Sequence, residues 1–164
     1  MGRNVRALTL REVTRLLTDL SGLTVSERQV SYLLITGGVG ADAAYRVHGR
    51  TRLYGSLDVA LARAALGLRA EGVSPQLTRV VITYLRDDLV RAWRSAAPLA
   101  LAITGVQGSL EPVAKGRPSR VSAWVPLRSL WQGLEARIQE VADSRDDVWM
   151  YRRVRVSAVP RNTL

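Results

Sequence analysis

Around Gly49, the stretch Tyr45-Arg46-Val47-His48-Gly49-Arg50-Thr51-Arg52-Leu53-Tyr54 holds three guanidinium groups within seven positions. A guanidinium is a planar fork of donors that stays protonated at any ordinary pH and matches the oxygens of a phosphate. The run reads as a short basic hairpin, with Arg46, Arg50 and Arg52 placed to straddle a sugar–phosphate backbone or enter a minor groove. Tyr54 would either donate its hydroxyl to a phosphate or pack under the hairpin, and His48 is read as an exposed loop residue. Upstream, Ser26-Glu27-Arg28-Gln29-Val30-Ser31-Tyr32 carries a second set. Arg28 suits guanine O6/N7 or a phosphate, and Gln29 can pair with adenine. Tyr32 falls one helical turn beyond Arg28, and Ser26 would start the helix at a phosphate or base edge. The bland alternative for Arg28 is an ion pair with Glu27 or a neighbouring acid on a solvated surface. Arg11 and Arg15, one turn apart, could touch phosphate flanks or simply line a solvated face.

These residues need elements to hold them. Leu10, Val13, Leu16, Leu17 and Leu20 recur at helical spacing behind Thr9 as N-cap. A turn containing Gly22 follows. Ser26 then caps a second helix to about Thr36, with Val30, Leu33 and Leu34 inward and Gly37-Gly38 as its stop. The hairpin comes next, running into a third helix, Leu57 to about Ala70, capped by Ser56 and stopped by Gly72. Ser74-Pro75 opens a fourth helix that could run to Ser95, since proline at the first helical position loses no bond.

Beyond Pro98 the pattern changes. Leu99–Thr104, Ser109–Ala114 and Arg120–Val125 read as strands with turns at Gly105 and Gly108. Leu127 to Ala142 reads as one amphipathic helix with Leu130, Trp131, Leu134, Ile138 and Val141 on a stripe, and Val148 to Val159 as a last strand. The expected architecture is thus a mainly α N-terminal winged helix-turn-helix (1–97) followed by a small α+β domain (98–164) for dimerisation or effector sensing. Trp124, Trp131 and Trp149 would fill that domain's core, or else line a pocket or interface.

Composition narrows the functions. The chain has 24 basic and 14 acidic residues, a net charge of +10, and Lys115 is its only lysine. The excess is +4 over residues 1–55 (eight Arg, four acids), +2 over 56–97 and +4 over 98–164, which favours a polyanionic partner. No cysteine and one histidine argue against disulfides, thiolate metal sites and histidine metal sites, so neither metal nor cofactor is expected. One histidine on a basic hairpin supports no Ser/His/Asp set, and the chain is not read as an enzyme. Asp87-Asp88 and Asp146-Asp147 fit solvated caps or turns. Gly37-Gly38-Val39-Gly40 lacks the Lys-Ser/Thr of a phosphate loop. No apolar run approaches the roughly 18 residues of a membrane span, and the first residues do not read as a secretory leader. A cytoplasmic, nucleoid-associated protein is expected.

Three patches, in order, resemble the winged helix-turn-helix of the MerR family of bacterial transcription regulators. Val25–Tyr32 ending at Gly37-Gly38-Val39 resembles that family's recognition helix. Arg52-Leu53-Tyr54 with Asp58-Val59 resembles its wing and following helix. Leu68-Arg69-Ala70-Glu71-Gly72-Val73-Ser74 resembles its junction between the last two helices. The likeness covers about residues 8–85. The chain departs from it in a longer Leu17–Thr24 segment, in Ser31 where arginine is usual, and in Leu33-Leu34 where Tyr-Glu is usual. The long antiparallel dimerisation helix of the family is not obvious after residue 97. The resemblance implies a sequence-specific regulator of double-stranded DNA acting as a homodimer, with RNA polymerase as a further partner. An excisionase-like architectural protein or a protein-interaction module are the alternatives.

Overall fold

The computed structural model describes residues 7–36, 47–48 and 51–144. Helix α1 (Leu10–Ser21) begins where Thr9 predicts, and the cap is reciprocal: Thr9 Oγ1 accepts from Glu12 N–H (3.2 Å), and Glu12 Oε1 accepts from Thr9 N–H (3.0 Å). It buries Val13, Leu16 and Leu17 and ends at Gly22, whose φ of 67° is the left-handed conformation that closes a helix. Helix α2 (Glu27–Ser31) starts from the same kind of box, built by Ser26 and Gln29. Only its first turns are regular. From Tyr32 to Thr36 the helix widens into a π-type turn, while Val30, Leu33 and Leu34 still point into the core.

Strands β2 (Val47–His48) and β3 (Thr51–Tyr54) pair antiparallel, Val47 opposite Arg52 and His48 opposite Thr51. A strand that the spacing did not suggest, β1 (Leu8–Thr9), pairs with the other edge of β3, Leu8 opposite Tyr54. The ribbon is therefore stitched to the residues that open α1. The Gly37-Gly38 stop lies outside the described residues.

Helix α3 (Ser56–Ala70) crosses the centre of the molecule. Its cap differs from the expected one. Gly55, not Ser56, occupies the N-cap position, and the buried Asp58 carboxylate accepts from Gly55 N–H (3.1 Å). After Gly72 (φ 87°), Ser74 Oγ accepts from Leu77 N–H and Pro75 opens α4 (Pro75–Tyr84). The single helix expected to Ser95 is two. It breaks at Leu85, and α5 (Arg86–Ser95) begins with Asp87 and Asp88 in its first turn, where carboxylates are favoured by the helix dipole.

The second sheet has the order β5-β4-β6, built from β4 (Leu99–Thr104), β5 (Gln107–Pro112) and β6 (Ala123–Pro126), all antiparallel. Gly105 turns the β4–β5 hairpin with φ 61°. Gly108, expected as a turn, sits inside β5. A Cβ there would lie 2.4 Å from Val81 Cγ1, so glycine is what lets α4 approach this strand. The helix expected from Leu127 to Ala142 is also two pieces, α6 (Leu127–Trp131) and α7 (134–144), separated by Gly133 at φ 73°. The expected strand over Val148 to Val159, with Trp149, falls outside the described residues.

One apolar core runs through both halves, from Leu8, Leu16 and Leu34 through Leu61 and Leu68 to Leu101, Val125 and Ile138. Residues 97–98 mark no gap in it. Trp131 is buried, donates from Nε1 to the Ala60 carbonyl (2.9 Å) and meets Trp93 edge-to-face at 5.4 Å between ring centres. Gly67 of α3 accommodates Val125, whose Cγ1 would stand 2.8 Å from an added Cβ. The fold is mixed, helices with two small antiparallel sheets. Among the described residues no helix is long and apolar enough to cross a membrane.

Candidate nucleic-acid interface

The physics of α2 divides it cleanly. Val30, Leu33 and Leu34 face inward at 0–7 % exposure, which forces Glu27, Arg28 and Tyr32 outward, Tyr32 at 41 %. The reciprocal cap fixes where this face starts. Gln29 Oε1 accepts from Ser26 N–H (2.9 Å) and from Ser26 Oγ–H (3.2 Å), while Ser26 Oγ accepts from Gln29 N–H (3.2 Å). That arrangement gives both side chains a structural role in the free chain. Bidentate recognition of adenine needs both ends of a glutamine amide, and the carbonyl end of Gln29 is turned back onto its own helix. The Ser26 hydroxyl is likewise committed to the cap. Both residues shape the helix start.

Arg11 and Arg15 are exposed on α1, and with Thr14, Thr18, Asp19 and Glu27 they line a shallow cleft of about 270 Å³ between α1 and the start of α2. Two arginines and two carboxylates make the cleft formally neutral, so it is no closed anion pocket. The cations nonetheless remain available. Among the described residues, Arg11, Arg15 and Arg28 hold no ion pair, so Arg28 pairs neither with Glu27 nor with a neighbouring acid. An arginine free of internal carboxylates needs no rearrangement to accept a phosphate.

Tyr54 settles on its packing role. It is 1 % exposed, under the β1–β3–β2 ribbon, and offers no surface to a nucleic acid. Arg52 lies in β3 opposite Val47; its side chain, with Arg46 and Arg50, is outside the described residues. The structure thus places Arg11, Arg15, Arg28 and Tyr32 on the exposed faces of α1 and α2, engages exposed Ser26 and Gln29 in the cap of α2, and buries Tyr54.

One positioning residue was not anticipated. Arg63, half-buried on α3, donates from Nη2 to the carbonyl of Leu20 (3.1 Å) at the C-terminal end of α1. Burial lowers its pKa from the ordinary arginine value. A cation against a helix C-terminus is favourable, and here it locks the α1–α2 unit to the central helix. Its signal in the sequence was slight, a lone arginine inside the apolar run Val59–Leu68.

No family model, curated protein or solved structure matches this chain.

Proposed function

We propose that this protein is a sequence-specific, double-stranded DNA-binding transcription regulator acting as a homodimer, with a winged helix-turn-helix of MerR type over about residues 8–85. In this reading α2 enters the major groove and Arg28 reads a guanine edge or grips a phosphate, with Tyr32 beside it. Arg11 and Arg15 contact the flanking backbone from α1. The β2–β3 ribbon is the wing, and Arg46, Arg50 and Arg52 reach over the sugar–phosphate rail.

The observation that carries the reading is the state of α2. Its apolar face is fully used inside the core, while its outer face presents Arg28 and Tyr32 with no internal carboxylate on the guanidinium. The surplus of basic residues across the chain supports the same partner. Two-fold pairing would place two such helices about one turn of duplex apart, roughly 34 Å.

Selection of bound duplexes from a random pool, with the protein's mass measured in solution, tests this directly. A near-palindromic consensus together with a dimer mass is expected. A folded protein that enriches no duplex at low salt refutes it.

A further inference from the structure

Among the described residues β5 is an edge strand. The two-residue turn Gly105-Val106 sets Thr104 opposite Gln107, so the hydrogen-bonded pairs of this hairpin recur at Ala102–Ser109 and Ala100–Glu111. The backbone N–H and C=O of Gly108 and of Leu110 consequently point away from β4. Among the described residues no turn, cap or loop contact takes them. Beside this edge lies a groove of about 520 Å³ between β5 and α5, with Leu85, Ala92, Leu99 and Leu110 among its walls and Tyr84 at its rim. Tyr84 is 81 % exposed; Val80, one turn back on the same stripe of α4, is 60 % exposed, and Val106 in the adjoining turn is 77 % exposed. An open strand edge and exposed large apolar side chains close to it in the chain are features that isolated monomers usually avoid.

We propose that this face seats a second copy of the same chain, two β5 strands pairing antiparallel about Ser109 with each Tyr84 entering the other's groove. The edge is self-complementary in a way a two-fold axis requires. An antiparallel copy centred on Ser109 puts Gly108 opposite the partner's Leu110 and Leu110 opposite the partner's Gly108, and each pair exchanges two hydrogen bonds. Pro112 has no N–H, so the outer ladder offers no donor beyond Leu110 on that side. Asp88 and Arg91 line the groove as an ion pair within α5, so the seat carries no net charge there to repel a second copy. Knob and hollow are side by side on one surface, as an isologous interface needs. The inference supplies the seat of the proposed regulator's dimer and rests on that reading for its role, while its geometry stands on β5, α4 and α5.

The chain has no cysteine, so one introduced thiol reports on its own copy without background. Across the two-fold, Ser109 faces the partner's Ser109 as a non-hydrogen-bonded pair with Cα atoms about 4.5 Å apart, within disulfide reach. Val106 stands three residues from that axis, about 20 Å from its own copy along the strands. Mild oxidation of full-length Ser109→Cys is expected to give a covalent dimer, while Val106→Cys stays uncrosslinked. Sedimentation equilibrium is expected to show a wild-type dimer that Tyr84→Arg, a change at an exposed side chain, weakens on the order of thirtyfold. Unaltered circular dichroism would show that the fold survives. A wild-type monomer at every concentration overturns the inference, as does a dimer in which Ser109→Cys crosslinks no faster than Val106→Cys. Duplex binding measured on the same proteins keeps the two readings apart. Retained DNA binding with failed crosslinking rejects only this interface, and crosslinking without DNA binding rejects only the regulator.

Discussion

Replacing Arg11 and Arg15 together by alanine should change how binding responds to salt more than it changes the protein. Both side chains are exposed, and neither holds an ion pair among the described residues, so stability should move by about 0.5 kcal/mol or less. Binding is a different matter. With Arg28 they make three free guanidinium groups per subunit, six in a two-fold pair, each releasing counterions when it meets a phosphate. At about 0.9 log units of affinity per log unit of salt per contact, these six alone give a slope of about −5. Raising salt from 50 to 200 mM then weakens wild-type binding about 10³-fold, before any contribution from the wing. The double variant keeps two of the six contacts, so its slope becomes shallower by about 3.6 and the same salt step costs this helical part only about tenfold. Fluorescence anisotropy on a selected duplex at five or six salt concentrations measures both slopes. Parallel lines for wild type and variant would mean that α1 never touches the backbone, and the orientation of the helical pair on DNA proposed above would be wrong.

Three further outcomes follow from the same geometry. Arg50→Ala with Arg52→Ala should lower affinity for all duplexes alike and flatten the salt slope by about 3.6 in a dimer, leaving sequence preference intact in the same anisotropy assay. Gly67→Ala should destabilise by about 1 kcal/mol in urea unfolding. Helix propensity gains up to about 1 kcal/mol, but a Cβ 2.8 Å from the stiff, buried Val125 overpacks by more; in a Val125→Ala background the sign should reverse. Trp131→Phe removes the buried bond to the Ala60 carbonyl and part of the Trp93 contact, and should cost about 2 kcal/mol by thermal unfolding, with duplex affinity at low temperature unchanged.

What the residues disclosed in advance was local, and for a physical reason. A cap is decided by side chains three positions apart, so Thr9 with Glu12, Ser26 with Gln29, and Ser74 ahead of Pro75 name their helices without help from the rest of the chain. The inward faces of α1 and α2 were equally legible, because burial imposes the helical period. Asp87-Asp88 fit a solvated cap or turn, and they do lie in the first turn of α5, although the apolar spacing ran one helix straight through them. The break at Leu85 ahead of them had no glycine or proline to announce it, whereas the break at Gly133 did and was outweighed by the apolar stripe on either side.

Pairings between distant segments stayed hidden. Leu8 meets Tyr54 across 46 residues, and nothing in two residues of strand foretells a partner that far away. Gly108 is the sharper case: glycine next to a hairpin reads as a turn, yet its role here is set by Val81 of α4 arriving from another part of the chain.

The candidate interface shows the same division between residue type and residue state. Arg28 and Gln29 looked equally suited to reading bases, because type and spacing are all that a sequence offers. Their states differ through bonds of a few ångströms: the Gln29 carbonyl is held by Ser26, while the Arg28 guanidinium has no such holder among the described residues. A capping box and a base contact draw on the same side chains at the start of a helix, so a sequence that signals one strongly also imitates the other. The same competition explains Tyr54. A tyrosine after a basic ribbon can serve a phosphate or a core, and here Tyr54, paired beside Leu8 of β1, is buried in the core. In the proposed complex Arg28 would therefore meet the duplex without giving up an internal ion pair, whereas Gln29 would have to release its cap to offer both ends of its amide to a base.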